Sequence, residues 1–356
     1  MKKKNLRKNN FYFWIFINIA LLIISIMLIF VIYFLITNNN IDNQNKNISN
    51  TNNNQNNSNE NKVRRLIDGV FVENGKENLY PTAIMIDNHT NARPSFGLSK
   101  ANFVFEAEAE GGITRYLAIF ANDENIEKIG PIRSARPYFI NWAREFSAVY
   151  THCGGSPAAL AMIIKENIID LNEFYNADYF WRDNIKQAPH NIYISSEKLN
   201  NFKNKKILEN GKFFSWKYKN DNKIENRPNK ASIFINFKLD DYKVKWEYNK
   251  DNNNYTRYLA KNIHKDSHGD IIFAKNIAIM FIDSKVVDDK MRLDMNVVGN
   301  GKAMVCIDGI CDDAEWNKKS ESARTRFYKE NNEIEFNAGT TWIEVVNPET
   351  EIMIEQ

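Results

Sequence analysis

The sequence predicts an α/β or α+β domain followed by an antiparallel, barrel-like or sandwich-like β-rich domain, both behind one N-terminal transmembrane helix. Three observations predict it. A long apolar run occupies residues 11–36. Between residues 83 and 157, short strand-like runs end in polar or glycine-bearing turns and alternate with helix starts. Beyond residue 230 the runs are short, β-like and separated by turn signals such as Gly299-Asn300-Gly301 and Asp308-Gly309.

The chain has 356 residues, enough for two domains and accessory segments, and 43% of them are hydrophobic, enough for packed cores. Its formal charge of +3 is misleading, because MKKKNLRK alone carries five positive charges and the remainder is left at −2. A nucleic-acid footprint needs a basic face on the folded part, and the composition offers none, so nucleic-acid binding is excluded.

Residues 1–10 read as a basic cytoplasmic tail. The apolar run 11–36 is interrupted only by Asn18 and Ser25, and its 26 residues span a bilayer core of about 30 Å with some tilt. It is longer than a signal-peptide core and lacks a small-residue cleavage site. No cysteine lies near it, which excludes lipid attachment there. The positive flank precedes the run, which places the body outside the cytoplasm. Residues 37–62 are dominated by asparagine and read as a disordered tether.

The first folded domain is expected over 63–215. Residues 83–86 form a short buried strand that ends at Asp87-Asn88-His89, with Arg93 just beyond. Residues 101–110 alternate, Phe103, Phe105, Ala107 and Ala109 on one face, Val104, Glu106, Glu108 and Glu110 on the other. Gly111-Gly112 turns the chain into a hairpin partner over 114–120 that carries Arg115. Arg133 and Arg136 precede a helix over 137–146, and a strand over 148–152 ends at His152. In Cys153-Gly154-Gly155-Ser156-Pro157 the serine caps and the proline starts a further helix. Another helix starts at Ser195 or Ser196.

That density of ionisable residues at strand ends suggests a cleft. Gly154, Gly155 and Ser156, between a strand and a helix N-terminus, could present amides to an anion, with Arg133 and Arg136 as bidentate partners. The glycines could equally serve only to turn the chain tightly. Asp87, His89, Arg93 and Arg115 complete the candidate ligand set. The same-face glutamates could supply acid/base chemistry, with Glu108 or Glu110 acting and His152 assisting, or could simply be ion-paired to arginines, since buried charges must be partnered. No metal site and no cofactor are expected: three converging ligands are needed, the separations of His89, His152 and His190 neither support nor exclude them, and His264 and His268, four apart, sit in a turn rather than on a helix. Ser156 lacks the following glycine of a nucleophile elbow.

Residues 216–230 connect to the second domain, 231–356, where eight short runs, from SIFINF to TWIEVV, imply antiparallel strands. If Asp308-Gly309 is a two-residue turn, Ile307 and Ile310 pair beside it and Cys306 faces Cys311 at a separation compatible with a disulfide. An oxidising, extracytoplasmic address permits the bond. Cys153 has no evident partner.

Several stretches together resemble the DUF3048 family of Gram-positive envelope proteins: AIMIDNH, ARPSFGLS, FEAEAEGGITRYLAIF, EKIGPIRSARPYF, YTHCGGSP, APHN and TWIEVV. The resemblance covers roughly 65–350 and implies an α/β-type domain, a separate β-rich domain and no established enzymatic activity. Many relatives carry a lipobox cysteine, from which this chain departs. A small residue is common among relatives at the position of Cys153, which argues against a catalytic thiol, and Cys306 and Cys311 are not part of the family pattern. The expectation is an anchored, non-catalytic module that binds a cell-wall component or an envelope partner. The alternatives are a hydrolase of wall polymer and a scaffold for wall-synthesis enzymes.

Overall fold

The first half of the folded chain is built from β1 (Thr82–Asp87), β2 (Phe103–Glu110), β3 (Ile113–Phe120), α1 (Pro137–Arg144), β4 (Val149–His152), α2 (Pro157–Lys165), β5 (Asp170–Asn172) and α3 (Ser196–Lys206). These come from a computed structural model, which describes residues 62–121 and 124–356. The expected tail 1–10, anchor 11–36 and linker 37–62, except Lys62, lie outside the described residues. Among the described residues no helix is long and apolar enough to cross a membrane.

Local sequence accounts for these elements. β1 and β4 are buried along their whole length, as strands covered on both faces must be. Pro137 opens α1, whose Tyr138, Phe139 and Trp142 are buried. The Ser156 hydroxyl accepts from the Ala159 amide at the start of α2, and the Ser195 hydroxyl accepts from the Lys198 amide at the start of α3.

The second half contributes β6 (Ser232–Ile235), β7 (Val244–Asn249), β8 (Asn254–Leu259), β9 (Asn276–Phe281), β10 (Gly299–Ile307), β11 (Ile310–Lys318), β12 (Arg326–Lys329), β13 (Thr341–Val346) and β14 (Ile352–Glu355). A small antiparallel sheet runs β8-β7-β6-β14, extended at the β8 edge by residues 262–263. The other strands do not close into a barrel or sandwich of their own. They join an eleven-stranded sheet in the order β12-β11-β10-β9-β13-β2-β3-β1-β4-β5, with residues 332–333 outside β12.

The segments 63–215 and 231–356 therefore share one sheet, and residues 63–356 form one compact unit. β13 lies between β9 and β2, parallel to both. The reason lies in its sequence: TWIEVV is buried at every position, the signature of a central strand rather than of an alternating sandwich face.

One face of the large sheet, with Met85, Phe105 and Leu117, packs under Tyr138, Phe139 and Trp142 of α1. The rings of Phe105 and Trp142 stack 5.0 Å apart. The opposite face, with Val104, Tyr116 and Trp342, meets Ile233, Val244 and Trp246 of the small sheet. Trp246 and Trp342 meet edge-to-face at 5.3 Å. Burying an apolar side chain of this size contributes on the order of 3 kcal/mol relative to exposing it.

The β10–β11 hairpin follows the turn argument. Ile307 pairs with Ile310 and Cys306 with Cys311, and the cysteines are disulfide-bonded with Cα atoms 4.0 Å apart. Asp308 and Gly309 take φ of 55° and 82°, as a type I′ turn demands. At Gly309 a side chain would also collide with the Tyr248 ring, 2.5 Å from the position of a Cβ. Cys153 is free.

Candidate functional site

The parallel strands β1 and β4 end near each other at Asp87 and His152, and in open α/β sheets ligands bind outside the carboxyl ends of the strands. The segment 131–136 is laid between them. The Asp87 amide donates to the Pro131 carbonyl, the Arg133 amide to Met85, the Cys153 amide to Arg133 and the Ala135 amide to Gly154. This ladder fixes Arg133 and Arg136 beside the end of β1. Asp87 pairs across β1 and β3 with Arg115, so both side chains share that face.

Around this frame the structure gathers Asp87, His89, Arg115, Arg133 and Arg136 from the expected set, and adds Glu110 and His190. His190 Nδ1 lies 2.7 Å from Asp87 Oδ2, and Arg133 Nε lies 3.1 Å from the same oxygen. The His89 amide donates to Asp87 Oδ1 at 2.9 Å, and the two imidazoles stack with centroids 4.6 Å apart. Glu110 Oε1 accepts from Arg115 at 3.0 Å and from Arg136 at 2.6 Å. Arg115 also donates to the Ser134 carbonyl and Arg136 to the Ala135 carbonyl.

The electrostatics are tightly balanced. Burial alone would raise the Asp87 pKa, but the His190 hydrogen bond, Arg133 and Arg115 hold it below the usual carboxylate range. Glu110 is likewise lowered against burial by Arg115 and Arg136. His89 is lowered by burial and by His190. Three guanidinium groups face two carboxylates, one positive charge in excess. Arg115 and Arg136 side chains are 4% and 7% exposed, while Arg133 at 21% and His190 at 12% remain reachable.

The three glutamates do not share a face. A β-bulge between Glu108 and Glu110 shifts the register against β3 and carries Glu110 to the arginines on the helix side. Glu106 points the other way, fully buried against Arg257 of β8. Glu108 is half-buried near Lys238, its pKa raised by burial. Glu108 and Glu110 therefore cannot flank one bond, and His152 is fully buried with its ring nitrogens 2.7 Å from the Gly154 carbonyl and 3.0 Å from Asp170. The residues named for a hydrolase do not converge.

The glycine loop is also spoken for. The Gly154 amide donates to Asn172 Oδ1 at 2.9 Å, the Ser156 amide donates to the Ala135 carbonyl, and the Ser156 hydroxyl caps α2. Gly154, Gly155 and Ser156 thus build the turn under the site; of these, the amides of Gly154 and Ser156 are committed to protein acceptors. Arg93 is aimed elsewhere: it bonds Asn88 and the Asp241 carbonyl and lies over the Tyr242 ring. Cys153, beside Glu173, has its thiol pushed up to about 12 by burial and by that carboxylate, and is no ready nucleophile.

His190 was not in the expected ligand set: the sequence marks it only as one of three histidines at strand ends, with His89 and His152, and it lies 103 residues from Asp87. Among the described residues no group of three or more His, Cys, Asp or Glu side chains could hold a metal ion.

Family models match both halves of the chain: the N-terminal domain of the DUF3048 proteins of unknown function over residues 69–210, and the C-terminal domain of the same proteins over 233–343. The chain belongs to the DUF3048 family. A family relative described as "Putative lipoprotein YerB", from Bacillus subtilis (strain 168), is 30% identical over 294 residues, covering 80% of this chain and 86% of the relative. The crystal structure of the Bacillus subtilis YerB protein superposes with a TM-score of 0.73 at 27% identity, covering 83% of this chain and all of that one. The two matched segments meet in the shared sheet, where β13, which begins at the end of the C-terminal match, pairs with β2 of the N-terminal one.

Proposed function

We propose that this DUF3048 protein is a membrane-anchored, extracytoplasmic envelope protein whose body binds an anionic group on a cell-wall component or a wall-synthesis partner, without turning it over. The observation that carries the binding role is the excess positive charge at the ends of β1 and β4, where Arg115, Arg133 and Arg136 surround only Asp87 and Glu110. Buried or half-buried charge is stable only when paired, so the site favours one further negative charge. The location is supported by the apolar run 11–36 with its positive flank and by the relative described as a lipoprotein. A binding role without turnover is supported by the separation of Glu108 from Glu110 and by the enclosure of His152.

The test is co-sedimentation of the protein with purified wall. Arg133→Gln removes the most accessible guanidinium and is expected to weaken association at least tenfold while the thermal midpoint stays within a few degrees. Unchanged association in a folded Arg133→Gln protein would remove the site from the function. Soluble products released from wall by the parent protein would make it a hydrolase instead.

A further inference from the structure

We propose that the ligand group is the free carboxyl terminus of a peptide, its carboxylate held by the arginines and the N–H of its last residue by His190. This rests on the anion site proposed above and names what that site takes.

The donors decide between a carboxylate and a phosphate. Phosphate sites at strand–loop–helix junctions draw on free loop amides and the helix N-terminus. Here the Cys153 amide is bound to the Arg133 carbonyl, the Gly154 amide to Asn172 and the Ser156 amide to the Ala135 carbonyl. Three of the four loop amides over 153–156 are thus committed, whereas among the side chains the Nε atoms of Arg115 and Arg136 are buried without a hydrogen-bond partner. Arg133 is bound on its Nε side by Asp87, and its one further contact is 3.5 Å from the Pro189 carbonyl. Planar forks suit a planar carboxylate. The charge agrees, since one monoanion neutralises the excess, whereas a dianion would overshoot it next to Asp87 and Glu110.

The histidines supply a second, directional part. An ionised Asp87 can only accept, so His190 donates to it from Nδ1, and in that tautomer Nε2 is the acceptor. The Asn91 amide donates to His89 Nδ1 at 3.1 Å, so neutral His89 offers Nε2–H as a donor. A trans peptide group turns its N–H and C=O to opposite sides, so rings stacked side by side take one of them, and the His190 acceptor takes the N–H next to the carboxylate. Arg133 and His190 contact the same Asp87 oxygen, so guanidinium and imidazole stand side by side, as a carboxylate and its neighbouring amide require.

The experiment is titration calorimetry on the full-length protein in detergent with four probes: N-acetylalanine, its carboxamide, acetate and inorganic phosphate. N-acetylalanine is expected to bind saturably, the carboxamide not at all, and acetate at least tenfold more weakly than N-acetylalanine. Arg133→Gln should weaken N-acetylalanine and acetate alike. His190→Phe should weaken N-acetylalanine at least fivefold and leave acetate within twofold, a split that a merely structural role would not produce. Phosphate binding more tightly than N-acetylalanine would overturn the peptide-terminus assignment and leave the anion site standing. Equal binding of N-acetylalanine and its carboxamide would overturn it too. No binding of any probe, together with no sedimentation on wall, would remove both.

Discussion

Arg257 brings one positive charge into a space that holds two carboxylates. It pairs with Glu106 of β2 and lies 3.9 Å from Glu344 of β13, and all three side chains are fully buried. Glu106 also accepts from Thr114 at 2.6 Å and from Asn88 at 3.3 Å, which keeps its charge supported. Glu344 stands beside Glu106 in register and accepts from the Trp246 indole at 2.8 Å. Burial, and then the Glu106 charge, raise the Glu344 pKa well above the carboxylate range, so it is the neutral member of the pair. Removing the cation strands Glu106, and Arg257→Met is expected to cost about 3–5 kcal/mol in denaturant unfolding. The pH sign follows from the proton count. Folded Glu344 keeps a proton that the unfolded chain releases above about pH 4.3, so its contribution to stability falls as pH rises from there towards the raised folded value. His264, which accepts from Arg257, is driven well below its usual pKa by burial and by that charge, and acts with the opposite sign below about pH 6.5. It is common to parent and Glu344→Gln, so it cancels in their difference. The parent is expected to lose ground to Glu344→Gln steadily above about pH 4.3. A pH-independent difference between the two unfolding free energies would show that Glu344 is ionised in the fold.

Between strand β4 and helix α2, Ser156 has a structural task. Its hydroxyl caps α2 through the Ala159 amide. Ser156→Ala is expected to cost about 1 kcal/mol of stability and to leave wall association unchanged; weaker association at unchanged stability would return the serine to the binding site. This cap was legible in the sequence because Ser-Pro is a local signal, as were the α3 cap at Ser195 and the Asp308-Gly309 turn. Once that turn is granted, period-two pairing places Cys306 opposite Cys311 with nothing further assumed. The bulge at Glu108–Glu110 was not legible. FEAEAEGG alternates without a break, and only the register against Thr114 and Ile113 shows where the alternation slips. Because of that slip, the expected acid/base pair became one half-buried glutamate and one arginine clamp on opposite faces. Arg115, Arg133 and Arg136 were found by their density at strand ends, but their convergence with His190 depends on a contact spanning 103 residues that no local pattern encodes.

Across the whole molecule, the change of pattern near residues 216–230 is real in the sequence but does not separate two sheets. Strand β13 lies parallel between β9 and β2, and a parallel strand can join a sheet only through a long crossover. The chain therefore has to return from its C-terminal part to complete the sheet begun by its N-terminal part. Two buried devices then lock the halves together: Arg257 of β8 against Glu106 of β2, and Glu145 after α1 against Lys318 of β11 at 2.9 Å, with Thr325 donating to the same carboxylate. Ending the chain at residue 230 would strip β2 of a neighbour, expose an apolar strand edge and leave Glu106 and Glu145 buried without their cations. An exposed edge of that kind invites aggregation, and each stranded charge costs about 3–5 kcal/mol, comparable to the net stability of a typical domain. Residues 63–230 expressed alone are therefore expected to be insoluble or to lack near-ultraviolet circular dichroism. Co-expression with 231–356 should restore a protease-resistant complex in which β13 reoccupies its slot. A soluble 63–230 fragment with cooperative unfolding would show that the N-terminal half closes its own sheet, and that the shared strand is an addition to a fold already complete.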